Sequence, residues 1–233
     1  MQNSQIYKTI SFNERITVIE EEGVRMFVLK GSKGALLVDT GYGGGDIKHI
    51  AHSIAKQDFK VIITHPDMDH IGGVGPFGQV YMHPSDFAQF RCKCSKKDIK
   101  VMPVYENDIF DLGDMKWEII EIPGHTCGSI ALLDRENRIL ISGDSVQEGP
   151  IYMFGEYRSL EAQILSLKKL DKMKDAFDVI LPCHNMLPVK TDILPILIEG
   201  AEKLWRGELL GKPVDLGWTQ TTRYDYKFVS FYY

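Results

Sequence analysis

Thr64-His65-Pro66-Asp67-Met68-Asp69-His70-Ile71-Gly72-Gly73 follows directly on the apolar run Val61-Ile62-Ile63. A short run of β-branched residues reads as a buried strand, and the decapeptide reads as the loop at its end. Within six residues that loop holds four side chains able to ligate a metal: His65, Asp67, Asp69 and His70. A rigid strand end followed by a tight turn aims several side chains at one point. Imidazole and carboxylate donors together suit zinc, iron or manganese. Gly72 and Gly73 permit close backbone approach behind the ligands.

Three further residues stand in matching contexts. His125 lies in Pro123-Gly124-His125-Thr126 after the apolar run WEIIEI, Asp144 in Ser142-Gly143-Asp144-Ser145 after RILI, and His184 in Pro182-Cys183-His184 after DVIL. Each follows a predicted strand, so each is placed to point from a sheet edge into a cleft. Any one alone reads as a turn or capping residue. Together with the first cluster, in this order, they form a pattern.

The remaining elements fit around these loops. RITVIE, VRMFVLK and ALLVDT read as strands punctuated by glycines. Residues 46–57 read as a helix with Asp46 as N-cap, because Ile47, Ile50 and Ile54 recur at helical spacing. Strands are expected at 80–82, 116–122, 129–133, 138–142 and 178–181, and helices at 159–173 and 192–206. Residues 91–100 read as a polar loop, and the tail TTRYDYKFVSFYY as an edge strand. Runs of strands with helices between or after them predict two sheets with helices outside, an α+β four-layer αββα sandwich. A three-layer α/β fold is the alternative. No linker-like stretch appears, so residues 1–233 are expected to form one domain, with 207–233 a C-terminal extension or edge segment.

The order of these motifs resembles the metallo-β-lactamase-fold superfamily of dinuclear metal hydrolases. The matching residues run from Asp39 to His184. The family signature is H-x-H-x-D-H, then a Gly-His-Thr-type histidine, a Gly-Asp bridging carboxylate and a last histidine. The resemblance implies an αββα sandwich and two divalent ions, zinc, iron or manganese. It implies that His65 and His125 hold the first ion, that Asp69, His70 and His184 hold the second, and that Asp144 bridges both. Asp39-Thr40-Gly41 resembles the family's first-strand turn, whose Asp supports the ligands from behind.

One position departs from that pattern. Asp67 stands where the second histidine of the signature belongs, as in the flavodiiron branch, which carries a Glu there. That branch also has a flavodoxin-like domain, which the stretch after His184 is too short to be expected to hold, so oxygen reduction is not inferred. A carboxylate at position 67 makes the pocket less positive by one charge and favours harder ions over zinc. It also leaves a mononuclear site open.

The expected activity is metal-dependent hydrolysis of a small ester, thioester or lactone, with Asp69 orienting a water and passing on its proton. The alternative is an iron oxidoreductase. Iron held by His65, His125 and Asp144 alone would have the two-His, one-carboxylate arrangement of non-haem oxygenases, and the superfamily includes iron sulfur dioxygenases. Tyr152, Phe154 and Tyr157 follow the bridging Asp and are candidate walls of a substrate pocket. His49 and His52 read as a solvated helix face, His83 as a turn residue. Cys92 and Cys94 lack the further ligands of a zinc knuckle. Cys127 and Cys183 read as buried packing.

Composition narrows the partners. Hydrophobic residues make up 44% and charged residues 25%, values of an ordinary globular chain rather than a collagen-like, low-complexity or disordered one. A net charge of −5 without a basic patch argues against nucleic acid as partner. No run reaches the roughly 18 apolar residues that span a membrane. MQNSQIYKTIS lacks a leader's charged and apolar regions, and the cysteines are few. A cytoplasmic protein with a small-molecule substrate is expected.

Overall fold

The computed structural model describes residues 6–94, 96 and 98–233. Met1 to Gln5, the start of the stretch read for a leader, lie outside the described residues, as do Ser95 and Lys97 of the expected polar loop. The chain divides into two units, Met1–Ile119 and Ile120–Tyr233.

The first unit is built on a seven-stranded sheet whose strands follow in chain order: β1 (Lys8–Ser11), β2 (Ile16–Glu21), β3 (Val24–Lys30), β4 (Ala35–Val38), β5 (Phe59–Ile62), β6 (Gln79–Met82) and β7 (Lys100–Pro103). Neighbours from β1 to β4 are antiparallel, and those from β4 to β7 are parallel. A parallel pair needs a crossover. Between β4 and β5 this is α1 (Ile47–Ala55). Asp46 sets its start, its carboxylate accepting from the His49 N–H at 2.9 Å, and the helix buries Ile47, Ala51 and Ala55. Between β5 and β6 the crossover is little more than α2 (Met68–Ile71), which carries Asp69 and His70. The loop 64–73 therefore leaves the carboxyl end of a parallel strand, where open α/β sheets characteristically hold ligands.

The expected polar loop at 91–100 begins as helix. α3 (Phe87–Lys93) extends through Arg91 and Cys92, anchored by buried Phe90. A hairpin of β8 (Ile109–Asp111) and β9 (Lys116–Glu121) closes the unit, and β9 carries the chain into the second.

In the second unit β10 (Ile130–Asp134) and β11 (Ile139–Gly143) form a hairpin, and β11 lies parallel to β13 (Val179–Pro182). A short β12 (Pro150–Tyr152) precedes α4 (Leu160–Lys172), and β14 (Val189–Lys190) precedes α5 (Ile193–Trp205). Ser159 caps α4 through the Ala162 N–H. Leu160, Ile164, Leu167 and Leu170 of α4 share one core with Leu194, Leu197, Ala201 and Leu204 of α5 and with Leu133, Leu140 and Ile180 of the strands. Each such Leu or Ile contributes about 1.5–3 kcal/mol by leaving water.

The tail differs from the expected edge strand. The segment 207–233 contains β15 (Gly211–Asp215), β16 (Gln220–Tyr226) and β17 (Val229–Tyr232), in a separate four-stranded sheet of order β12-β17-β16-β15. β17 is an inner strand, buried along its length. The chain reverses at Lys227, which adopts a left-handed conformation with φ 51°, without the Gly or Asn that usually marks such a turn.

Among the described residues no helix is long and apolar enough to cross a membrane.

Candidate metal centre

In the first unit the geometry begins at Asp39. It follows β4 in a left-handed conformation, φ 62°, which an Asp tolerates better than most residues. This turn directs a wholly buried carboxylate at the 64–73 loop. Oδ1 accepts from the Thr64 N–H at 2.7 Å, and Oδ2 accepts from the Thr64 hydroxyl at 2.8 Å. His70 Nδ1 lies 2.9 Å from the same Oδ2.

These contacts assign the tautomers. A carboxylate only accepts, so His70 carries its proton on Nδ1. The Thr64 hydroxyl, having donated to Asp39, accepts from His65 Nδ1 at 3.0 Å. Both imidazoles are therefore set with Nε2 as the basic, ligand-competent atom. The buried rings lie with centroids 3.9 Å apart, and His70 Nε2 is 3.4 Å from Asp69 Oδ2. Asp67 Oδ2 is 3.6 Å from His65 Nε2.

The loop behind these side chains is packed backbone to backbone. The Thr40 N–H and hydroxyl both donate to the His70 carbonyl at 2.8 Å. Residues 41–45, Gly-Tyr-Gly-Gly-Gly, wrap the carboxylate of Glu21, which accepts from the N–H groups of Tyr42 (2.8 Å), Gly43 (3.3 Å) and Gly44 (2.6 Å). Sequence reasoning missed Glu21. Its position at the end of β2 carries no local signal, and its role depends on a loop about twenty residues away.

Tyr7 lies against the same loop, its hydroxyl accepting from the Gly45 N–H at 3.3 Å. Burial, and then the charge of Glu21, push the Tyr7 phenol up to about 12, against the lowering pull of the Gly45 N–H. A raised folded value means that between about pH 10 and 12 the unfolded chain releases this proton first. Stability from Tyr7 is thus intact below pH 10 and declines as pH rises toward 12. Tyr7→Phe should flatten that part of the unfolding free energy against pH, as read by urea denaturation. An unchanged slope would remove Tyr7 as its source.

In the second unit three side chains converge. β11 and β13 are parallel and end together, with Gly143 paired to Pro182 across an irregularity in the register and the Cys183 N–H donating to the Gly143 carbonyl at 3.1 Å. The residues that follow, Asp144 and His184, are therefore neighbours. His184 Nε2 lies 3.3 Å from Asp144 Oδ2, and His125 Nε2 lies 3.8 Å from the same oxygen. His125 Nδ1 donates to the Tyr152 carbonyl at 2.9 Å, which again leaves Nε2 as the basic nitrogen.

Gln163 of α4, fully buried, ties the two loops. It accepts from the His125 N–H at 3.2 Å and donates to the Ser145 carbonyl at 2.7 Å. A Cβ on Gly124 would lie 2.4 Å from the Gln163 Cα, so glycine is required before His125. Arg158 also donates to the His125 carbonyl. Gln163 reads in sequence as one more polar helix residue, and only the tertiary contact shows its role.

Of the other residues weighed, His49 and His52 are exposed on α1 and His83 accepts from the Ser85 N–H as a turn residue. Cys183 is buried, but Cys127 is exposed rather than packed inside, because its turn lies at the surface. Cys94 is buried and donates to the Lys96 carbonyl. Tyr152 is half-buried, its ring 5.8 Å from Phe154, which lies 5.9 Å from the exposed Trp218. Tyr157 is exposed.

Comparison with known proteins adds the following. A sequence profile described as "Metallo-beta-lactamase superfamily" matches residues 20–86 and 98–184. The acyl-coenzyme A thioesterase MBLAC2 of Gallus gallus is 27% identical over 220 residues, covering 78% of this chain and 75% of that protein. A hydroxyacylglutathione hydrolase of Bdellovibrio bacteriovorus is 28% identical over 136 residues, 57% of this chain and 52% of the relative. A solved metallo-beta-lactamase from Pontibacter korlensis superposes with a TM-score of 0.72 at 18% identity, over 84% of this chain and 99% of the other. That likeness shows the fold, and with it the α+β class expected from the sequence.

Proposed function

From a chain that belongs to the metallo-beta-lactamase superfamily, we propose an enzyme that hydrolyses a small acyl thioester with two divalent cations. The family match together with its thioesterase and hydroxyacylglutathione hydrolase relatives makes it a metal-dependent hydrolase; the ions, the ligand roles and the substrate are our reading. The observation that carries it is Asp144, one of whose oxygens lies near the basic nitrogens of both His125 and His184.

The donor set fits divalent cations. Buried imidazoles are fixed with Nε2 available, and each has carboxylate oxygen close by. In this reading His65, Asp67, His125 and Asp144 hold one ion, and Asp69, His70, His184 and Asp144 hold the other. Bound ions lower the pKa of water and polarise an acyl carbonyl. The chain's own residues do the rest. Asp69, partly exposed beside His70, orients the water and takes its proton. The water oxygen bonds to the acyl carbon, the carbon–sulfur bond breaks, and the proton passes to the leaving sulfur. A carboxylic acid and a thiol result.

The thioester is favoured over a lactone or oxygen ester by the MBLAC2 likeness. An apolar acyl group fits the row Tyr152, Phe154 and Trp218, with Tyr157 alongside in sequence.

Steady-state kinetics on thioester, oxygen-ester, lactone and phosphodiester substrates, before and after chelation, test this. Chelator-sensitive hydrolysis with the highest kcat/KM on thioesters is expected. Oxygen uptake with one iron per chain, and no hydrolysis, would move the reading to the iron oxidoreductase.

Asp39→Asn tests the tautomer argument separately. An amide turned toward His70 donates to Nδ1 and drives the proton to Nε2, the atom needed for a ligand. Zinc affinity should fall roughly 10–100-fold, as for other groups that orient metal-binding histidines, with the far-UV circular dichroism unchanged. Unaltered affinity would show that Asp39 does not set the tautomer.

A further inference from the structure

Asp67 occupies the N-cap position of α2, yet its side chain makes no capping bond. Its Oδ1 instead accepts from the Lys93 ammonium at 2.8 Å, while Oδ2 is 3.6 Å from His65 Nε2. The two oxygens thus face different ways, one to a cation of the protein and one to a buried imidazole. Lys93 is the last residue of α3, which Phe90 anchors in the core. The side chains of Lys93 and Asp67 are 31% and 17% exposed, so water screens this pair less than one on the open surface.

We infer that Lys93 is an internal counter-ion of Asp67 that competes with the cation held by His65 for this carboxylate and lowers the affinity of that position. The inference rests on the reading of the 64–73 loop as metal-ligating. Three points carry it. The family signature has a neutral imidazole where this chain has a carboxylate, and the Asp67–Lys93 pair is also neutral. An ammonium on Oδ1 withdraws electron density from the same carboxylate that must donate through Oδ2. A fixed positive charge this close to a dication repels it. The extra carboxylate, which by itself favours tighter binding of hard ions, is therefore offset, and one cation position is held more weakly than the other.

Lys93 acts through Asp67 and is a positioning residue, so the test reads binding rather than turnover. The full-length protein, stripped of metal, is titrated with zinc and with manganese against a competing chromophoric chelator. Wild type is compared with Lys93→Met, Lys93→Arg, Asp67→Asn and the Asp67→Asn/Lys93→Met double variant. In Lys93→Met the weaker event should tighten at least tenfold, or the stoichiometry should rise from one ion to two, with the stronger event within twofold of wild type. Lys93→Arg, which keeps the charge, should stay near wild type. In the Asp67→Asn background the gain from Lys93→Met should shrink below threefold, because no carboxylate holds the ammonium there. Binding within twofold of wild type in Lys93→Met, or a looser weak event, overturns the inference and leaves the hydrolase reading standing. A wild-type chain that takes up neither metal overturns both.

Discussion

Asp144→Ala is expected to lower turnover on a thioester by more than about a hundredfold, some 2.7 kcal/mol of barrier, while leaving the fold intact. The side chain is nearly buried, and one of its oxygens lies within 3.8 Å of two imidazole nitrogens. With alanine there, both proposed cation positions lose a shared anionic donor. The strands leading to the loop keep their pairing, since Gly143 and Pro182 are joined through backbone. A melting temperature near wild type together with lost turnover and lost metal is the expected pattern. Retention of a tenth of the activity would sink the assignment of Asp144. His70→Ala should be equally inactive but less stable, because the buried Asp39 carboxylate loses its imidazole donor and keeps the two bonds from Thr64.

The largest stability effect should come from a single methyl group. A Cβ on Gly72 would lie 2.1 Å from the Tyr42 carbonyl oxygen and 2.4 Å from its carbon. Both sides of that contact are backbone, so neither can rotate away. Gly72→Ala must separate the ligand loop from the 41–45 loop, at a cost of about 3 kcal/mol or more. For a chain of this size that lowers the melting temperature by roughly 6 °C or more. Gly75→Ala, three residues on, is the control, since a Cβ there meets nothing within 4 Å. Calorimetry of the two variants should therefore differ sharply. Equal melting temperatures would show that the two loops are not in the contact described.

What was legible in the sequence follows the range of the interactions. Strands β2 to β5 and helices α1, α4 and α5 are written in local periodicity and caps, and were expected within a residue or two. The proposed ligand residues stood out in the sequence because His and Asp are concentrated just past strand ends. Glu21, Gln163 and Lys93 did not, because each acts on a loop some twenty to forty residues away, and nothing nearby marks it. The reversal at Lys227 was hidden for another reason. A lysine took the left-handed conformation that glycine would have advertised, so two strands read as one. α3 was missed because seven residues with one buried aromatic give too short a period to recognise.

The network around Asp39 bears on the order of events in the cell. Thr64, His65, His70 and Asp39 are tied to one another through protein atoms, and Thr40 adds two bonds to the His70 carbonyl. In a zinc finger the metal's binding energy is the folding energy. Here the 64–73 loop is held through the chain's own atoms, so folding and the proposed metal loading are expected to be separable steps. On that expectation a newly made chain folds first and is loaded afterwards, and a loaded chain exchanges one ion for another without passing through an unfolded state.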